Sequence, residues 1–226
     1  MSRWFLAVVC ALAPVGALAQ ATTLVPSGAL WRYLDDGSDQ GTAWREFAFD
    51  DSAWAEGPAE LGYGDGDEET VVQSGPADAH FTTSYFRHGF EVASPASQDL
   101  VLALRRDDGA VVYLNGTEVF RTNMPAGEID SLTLASSNAS SSGEDDYQSA
   151  TLNPCLLVAG ENVLAVEVHQ ASPTSADVSF DLSLEADAGV PALVRPPYLQ
   201  RAQPTTMTVR WRTDEQIGRA SCRERV

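Results

Sequence analysis

The 226-residue sequence contains no lysine: its 14 Lys and Arg positions are all Arg, set against 32 Asp and Glu for a formal net charge of −18. Phosphate backbones are bound mostly by Lys and Arg that release condensed counterions, so this charge balance argues against a nucleic-acid partner. The same sign repels anionic membrane surfaces. No apolar run in the body approaches the ~20 residues that span a bilayer, and no segment shows the period of a long amphipathic helix. Cysteine is nearly absent, with Cys10 near the start, Cys222 near the end and Cys155 alone in between. A lone Cys in the body makes no intrachain bridge there, and the expectation for Cys155 is a small buried thiol on a strand or strand edge.

What is present begins with two ends that differ from the body. Residues 1–19 carry Arg3, an apolar run from Trp4 to Ala13 and the small-residue pattern Ala17-Leu18-Ala19, the pattern of a secretory signal peptide, which predicts secretion to the periplasm or exterior. Residues 217–226 break with everything before them and resemble translated sequencing-adapter read-through. They are set aside, with the expectation that the natural protein continues after Gln216. Residues 20–216 hold ten Arg against 31 acids, a like-charged body that salt or a divalent cation is expected to stabilise.

From Leu30 to Glu185 apolar residues alternate with polar ones, and the runs are broken by Gly, Pro, Asn and Asp, which predicts antiparallel strands. Leu100, Leu102 and Leu104 share one parity, as do Leu164, Val166 and Val168, and Val178, Phe180, Leu182 and Leu184. Each strand is expected to show one oily and one wet side, as in a β-sandwich. Asn115-Gly116 between two β-rich runs predicts a two-residue type I′ hairpin. Residues 47–54, FAFDDSAW, predict a helical turn that docks Phe47, Phe49 and Trp54 on the sandwich end, and Trp44 and Trp54 read as packing residues. At 188–194 a Gly and Pro punctuated linker leads to a new strand at 206–212, with Trp211 a candidate for exposed apolar surface.

Several blocks together resemble one family: Phe49 to Trp54, Leu61-Gly62-Tyr63-Gly64, Tyr85-Phe86-Arg87, Asp107-Asp108-Gly109 with Val112 to Gly116, Gly160 to Gln170, and Phe180-Asp181-Leu182. They are similar to the galactose-binding-like jelly-roll module of secreted bacterial enzymes. The resemblance covers about residues 28–186 and implies an all-β jelly-roll sandwich. Residues 194–215, VRPPYLQRAQPTTMTVRWRTDE, resemble the opening of the fibronectin type III-like N-terminal domain of purple acid phosphatases. The implied organisation is a signal peptide (1–19), a jelly-roll domain (20–187), a linker (188–194), the truncated start of the fibronectin-like domain (195–216) and the odd tail (217–226).

The implied parent is a secreted metallophosphoesterase whose catalytic domain, with its di-metal centre, is missing from this chain. A two-metal site needs carboxylates and imidazoles around cations ~3.5–4 Å apart. The sequence has only His80, His88 and His169, and neither Gly-Asn-His nor Gly-His-x-His. The expectation is therefore a non-catalytic accessory module that binds a glycan or cell-surface polysaccharide, or positions the downstream catalytic domain. The alternatives are a stand-alone secreted glycoside hydrolase using a carboxylate pair such as Glu167 and Asp181, which requires them ~5–9.5 Å apart, or a purely structural surface module.

Stacking rings with flanking carboxylates, amides and guanidinium groups suit sugar hydroxyls, which makes Tyr85, Arg87, Glu167, His169, Gln170 and Asp181 the candidate ligand residues. The competing reading pairs Arg87 with Glu167 across strands and has His169 cap a strand end. Of three acidic loop clusters, Asp35-Asp36-Asp39, Asp65-Asp67-Glu68-Glu69 and Glu144-Asp145-Asp146, the second offers Asp65 and Asp67 as candidate ligands for a structural Ca²⁺, a cation that takes six to eight oxygens. Solvated carboxylates of an acidic protein are the other reading.

Overall fold

The computed structural model describes residues 21–94, 99–139 and 146–187, together with the backbone of 193–203 and 206–213. The expected signal peptide and tail, Cys10, Cys222, the cluster at 144–145 and most of the linker lie outside the described residues, as does the side chain of Trp211. Strands follow in the order β1 (Thr22–Val25), β2 (Leu30–Leu34), β3 (Ala55–Pro58), β4 (Leu61–Tyr63), β5 (Thr70–Val71), β6 (Thr83–Val92) and β7 (Leu100–Asp107). The order continues with β8 (Gly109–Leu114), β9 (Thr117–Thr122), β10 (Gln148–Leu152), β11 (Gly160–His169), β12 (Val178–Ala186), β13 (Leu193–Gln203) and β14 (Thr206–Thr213).

Two six-stranded sheets form the layers of an all-β jelly-roll sandwich. The first runs β10-β7-β12-β4-β5, with β1 also on β12, and the second runs β3-β2-β6-β11-β8-β9. Alternation explains the core: Leu102 from β7, Val166 from β11 and Phe180 from β12 meet in one buried cluster with Trp31, Phe86 and Leu164. Phe180 stacks on Phe86 at 4.1 Å between centroids and meets Trp31 edge-on at 4.9 Å. The β8–β9 hairpin turns at Asn115 and Gly116, whose φ values of 51° and 81° are those a type I′ turn requires. Beyond the linker β13 and β14 pair as a two-stranded sheet of their own, so residues 193–213 supply a hairpin where one strand was expected.

Three expectations need correction. Strands of the second sheet are buried on both faces: every residue of β8 is buried, and so is β11 from Asn162 onward. The outward-facing Tyr85, Val111, Tyr113 and Ala165 join a second cluster with Trp44, Trp54, Met124 and Ala135, because residues 36–54 and 123–136 fold over that face. The aromatic segment therefore docks on a sheet face rather than on the sandwich end, and its 3-10 turn lies at Ala43–Arg45, ahead of residues 47–54. Cys155 is exposed on the 3-10 turn Pro154–Leu156 and disulfide-bonded, contrary to the buried thiol expected. Asn153 caps that turn by accepting the Cys155 N–H at 2.9 Å.

Candidate functional site

The outer face of the second sheet brings together four of the six candidate ligand residues. On β6 and β11, Tyr85 stands opposite Glu167 and Arg87 opposite Ala165, while the period of two puts His169 on the face of Glu167. The face is covered rather than wet, and Tyr85, Arg87, Glu167 and His169 are all at most 3% exposed. Trp44 is the lid, set edge-on to Tyr85 at 4.9 Å and to Tyr113 at 5.8 Å. Beneath it Glu167 Oε1 accepts from Tyr113 Oη at 2.6 Å and from Arg45 Nη2 at 3.2 Å. The Arg45 guanidinium lies 4.3 Å from the Tyr113 ring centroid.

His169 Nδ1 donates to Thr133 O at 2.7 Å, and its Nε2 lies 3.4 Å from Glu167 Oε2. Arg87 fastens the cover from below: Nε donates to Asp51 Oδ2 at 2.7 Å, and Nη1 donates to the carbonyls of Trp44 and Glu46. The cross-strand pair expected between Arg87 and Glu167 is not formed, because Arg87 answers Asp51 while Glu167 answers Arg45. Burial, reinforced by the charge of Glu167, pushes the Tyr85 phenol up to about 12 and raises Tyr113 further. Such a buried network holds the covering segment in place. Its polar groups are buried beneath that segment and are not presented to solvent.

The remaining candidates lie apart. Gln170 is buried at the end of β11, where Nε2 donates to Tyr63 Oη at 2.6 Å and to Asp177 O at 3.1 Å. Asp181 faces outward from the first sheet and accepts from Tyr147 Oη at 2.7 Å, from Ser27 Oγ and from the Gly28 N–H. Glu167 and Asp181 thus sit on opposite outer faces with the main core between them, which corrects the carboxylate pair proposed for a hydrolase. Asp65 Oδ2 accepts from Ser179 Oγ at 3.1 Å, and Asp67 Oδ2 lies 3.6 Å from Arg105 Nη2. Glu68 takes the N–H groups of Asp65 and Gly66. Asp65 and Asp67 answer different partners. Among the described residues no three His, Cys, Asp or Glu side chains are grouped to hold a metal ion.

Beside the covered cluster, the same sheet face opens into a groove of about 350 Å³ over β2, β6 and β11. Its walls include Phe47, Phe49 and Asp51 from the covering segment, and Glu56 from β3. Phe47 is 50% exposed. Arg32 on β2 faces Asp51 at 3.5 Å and Glu56 at 3.4 Å, a partly exposed network at the rim. The floor is Gly89, where a mid-strand glycine leaves bare backbone. A Cβ there would meet only the Glu161 Oε1 at 3.3 Å and the Asn162 carbonyl at 4.0 Å. Of the expected ligand residues only Arg87 touches this groove. Strand alternation carried no signal for it, since Phe47 reads equally as a docking anchor and Gly89 as an ordinary strand breaker.

No protein-family model matches the chain, and no curated protein does. Among solved structures it is similar to a β-glucuronidase of Bacteroides uniformis at 20% identity and a TM-score of 0.47, covering 74% of this chain and 18% of that one. A β-glycosidase of Bacteroides vulgatus aligns at 21% identity and a TM-score of 0.41, covering 73% and 20%. A β-glucuronidase of Ruminococcus gnavus in complex with D-glucuronic acid aligns at 11% identity and a TM-score of 0.48, covering 89% and 35%. The chain spans only 18–35% of the length of these three enzymes. All three are glycosidases.

Proposed function

We propose that this sandwich is a non-catalytic carbohydrate-binding module, with a glycan or cell-surface polysaccharide as its ligand and the groove between Phe47 and Gly89 as its site. The observation that carries this reading is the half-exposed Phe47 ring beside a groove floored by bare backbone and rimmed by Arg32, Asp51 and Glu56. A sugar ring offers a C–H face to an aromatic side chain and hydroxyls to carboxylate and guanidinium groups, which hold them in pairs. Gly89 lets such a ring approach the sheet closely. A groove of this chemistry suits an enzyme partner that acts on glycans, so a secreted glycoside hydrolase fits as the parent better than a phosphoesterase.

The test is glycan-array screening followed by calorimetric titration of the best ligand. Saturable binding by the wild-type chain, weakened at least about tenfold by Phe47→Ala and by Gly89→Val with the melting temperature kept, supports the assignment; tenfold corresponds to about 1.4 kcal/mol. Absence of binding to every glycan on the array leaves a structural spacer as the function. Binding that both substitutions leave untouched moves the site elsewhere.

A further inference from the structure

Both guanidinium groups that line the groove are already spent on its own carboxylates. Arg32 answers Asp51 and Glu56, and Arg87 answers Asp51 and two main-chain carbonyls. An anionic sugar would have to displace a carboxylate from Arg32 or reach the buried Arg87, and a chain of net charge −18 repels it on approach. His88, the third basic residue of the lining, donates its Nδ1–H to the Leu30 carbonyl at 2.7 Å, which leaves Nε2 of the neutral ring an acceptor.

Carboxylates are in excess. Glu161 lines the groove with its Oε1 beside the Gly89 floor, and in the pairing of β6 with β11 it stands directly opposite Glu91. Both residues are exposed, and among the described residues neither side chain takes part in an ion pair or a hydrogen bond. Like charges directly opposite one another on a sheet are destabilising. This pair therefore works against the fold, and a positive charge brought in by a ligand would relieve it.

We propose that the groove selects an amino sugar, with Glu161 as the residue that sets this preference. The inference rests on the carbohydrate-binding reading above and narrows its ligand class. Phe47 takes the C–H face of the sugar ring, while Glu161, with Glu91 behind it, accepts from the protonated amine. A hydrogen bond between charged partners is roughly twice as strong as one between neutral groups, so the amine outcompetes the hydroxyl of a neutral sugar. Selection against uronic acids follows from the same charges, since the groove offers an acid group no unpaired guanidinium. A lysine side chain carries the same ammonium but no ring for Phe47, which makes a basic peptide the poorer occupant.

Calorimetric titration of the full chain with tetrasaccharides of glucosamine, N-acetylglucosamine, glucose and glucuronic acid, alike in linkage, tests the preference. The titrations are run at low ionic strength and mildly acidic pH, where the sugar amine is protonated and the carboxylates are ionised. The glucosamine oligomer is expected to bind about three- to tenfold more tightly than the acetylated and glucose oligomers, and the glucuronic acid oligomer most weakly. Tetralysine, which brings the charge without the ring, is expected to bind more weakly than the glucosamine oligomer, and equal binding of the two overturns the proposal. Glu161→Gln reduces the preference for glucosamine over glucose at least about twofold, and adding Glu91→Gln abolishes it, while affinity for the glucose oligomer and the melting temperature stay as in wild type. A preference untouched by these substitutions, or tighter binding of the glucuronic acid oligomer, also overturns it. Equal binding of the glucosamine and glucose oligomers, weakened by Phe47→Ala, overturns the amine preference and leaves the carbohydrate-binding reading standing. Binding of none of the four overturns the preference as well, and the glycan array then decides the wider reading.

Discussion

Tyr113 donates its hydroxyl proton to Glu167 Oε1 at 2.6 Å beneath the indole of Trp44, so a tyrosine of β8 and a glutamate of β11 share a bond that water does not reach. A hydrogen bond to a buried charge is worth more than one between neutral groups. Tyr113→Phe is expected to lower stability by about 1.5–3 kcal/mol. Glu167→Ala, which leaves Arg45 without its carboxylate, is expected to cost more, about 3–5 kcal/mol. Urea denaturation checks both: the midpoint shifts, and the slope stays constant if the folded surface is unchanged.

The same cluster predicts alkaline behaviour. Tyr85 has its phenol pushed up to about 12, first by burial and then by Glu167, and Tyr113 is raised further by the same two causes. A group whose pKa is higher folded than unfolded stabilises the fold below its ordinary value, near 10, and that contribution disappears as pH rises through the folded value. Stability is therefore expected to fall between about pH 10 and 12. Phenolate absorbance should rise less in the folded chain than in urea over this window, then jump as the chain unfolds. Smooth titration of every tyrosine near 10 in the folded chain would contradict the burial of this face.

Much of the architecture was legible in the residues. Parity placed Leu102, Val166 and Phe180 in a common core, and Asn115-Gly116 announced its hairpin, because both signals are local and rest on strand pleat and positive φ. The covered face was not legible. Tyr85, Arg87, Glu167 and His169 carry polar groups that read as solvent-facing, and the segments that bury them, 36–54 and 123–136, have no periodicity to announce the contact. Parity also tells which side of its own sheet a residue faces but not which sheet it belongs to, so Glu167 and Asp181 looked like neighbours while the core lies between them.

Burial separates the roles of Arg87 and Phe47, although both touch the groove. Arg87 holds Asp51 and two main-chain carbonyls, so Arg87→Ala is expected to destabilise the chain by about 2–3 kcal/mol, reduced from a fully buried pair because Asp51 is partly solvated. Phe47→Ala removes a half-exposed ring and is expected to change stability by no more than about 0.5 kcal/mol. Thermal melts of the two variants beside wild type test the contrast. A large loss in Phe47→Ala would make that ring a fold residue and remove it from the ligand site.

Two strand glycines predict effects of opposite sign. A Cβ on Gly62 would stand 1.9 Å from the Val178 carbonyl oxygen, a main-chain atom held by the pairing of β4 with β12. Backbone cannot swing aside as a side-chain tip can, so Gly62→Ala must part the two strands, and a cost of at least about 1–3 kcal/mol is expected. A Cβ on Gly89 meets the end of the Glu161 side chain at 3.3 Å, which can rotate away. Gly89→Ala should then stabilise the strand by about 0.5–1 kcal/mol through reduced backbone entropy. Glycine at 89 works against the stability of β6, which is understandable if its bare backbone serves the groove. Chemical denaturation of the two alanine variants measures the pair of signs, and a destabilising Gly89→Ala would return that glycine to a purely structural account.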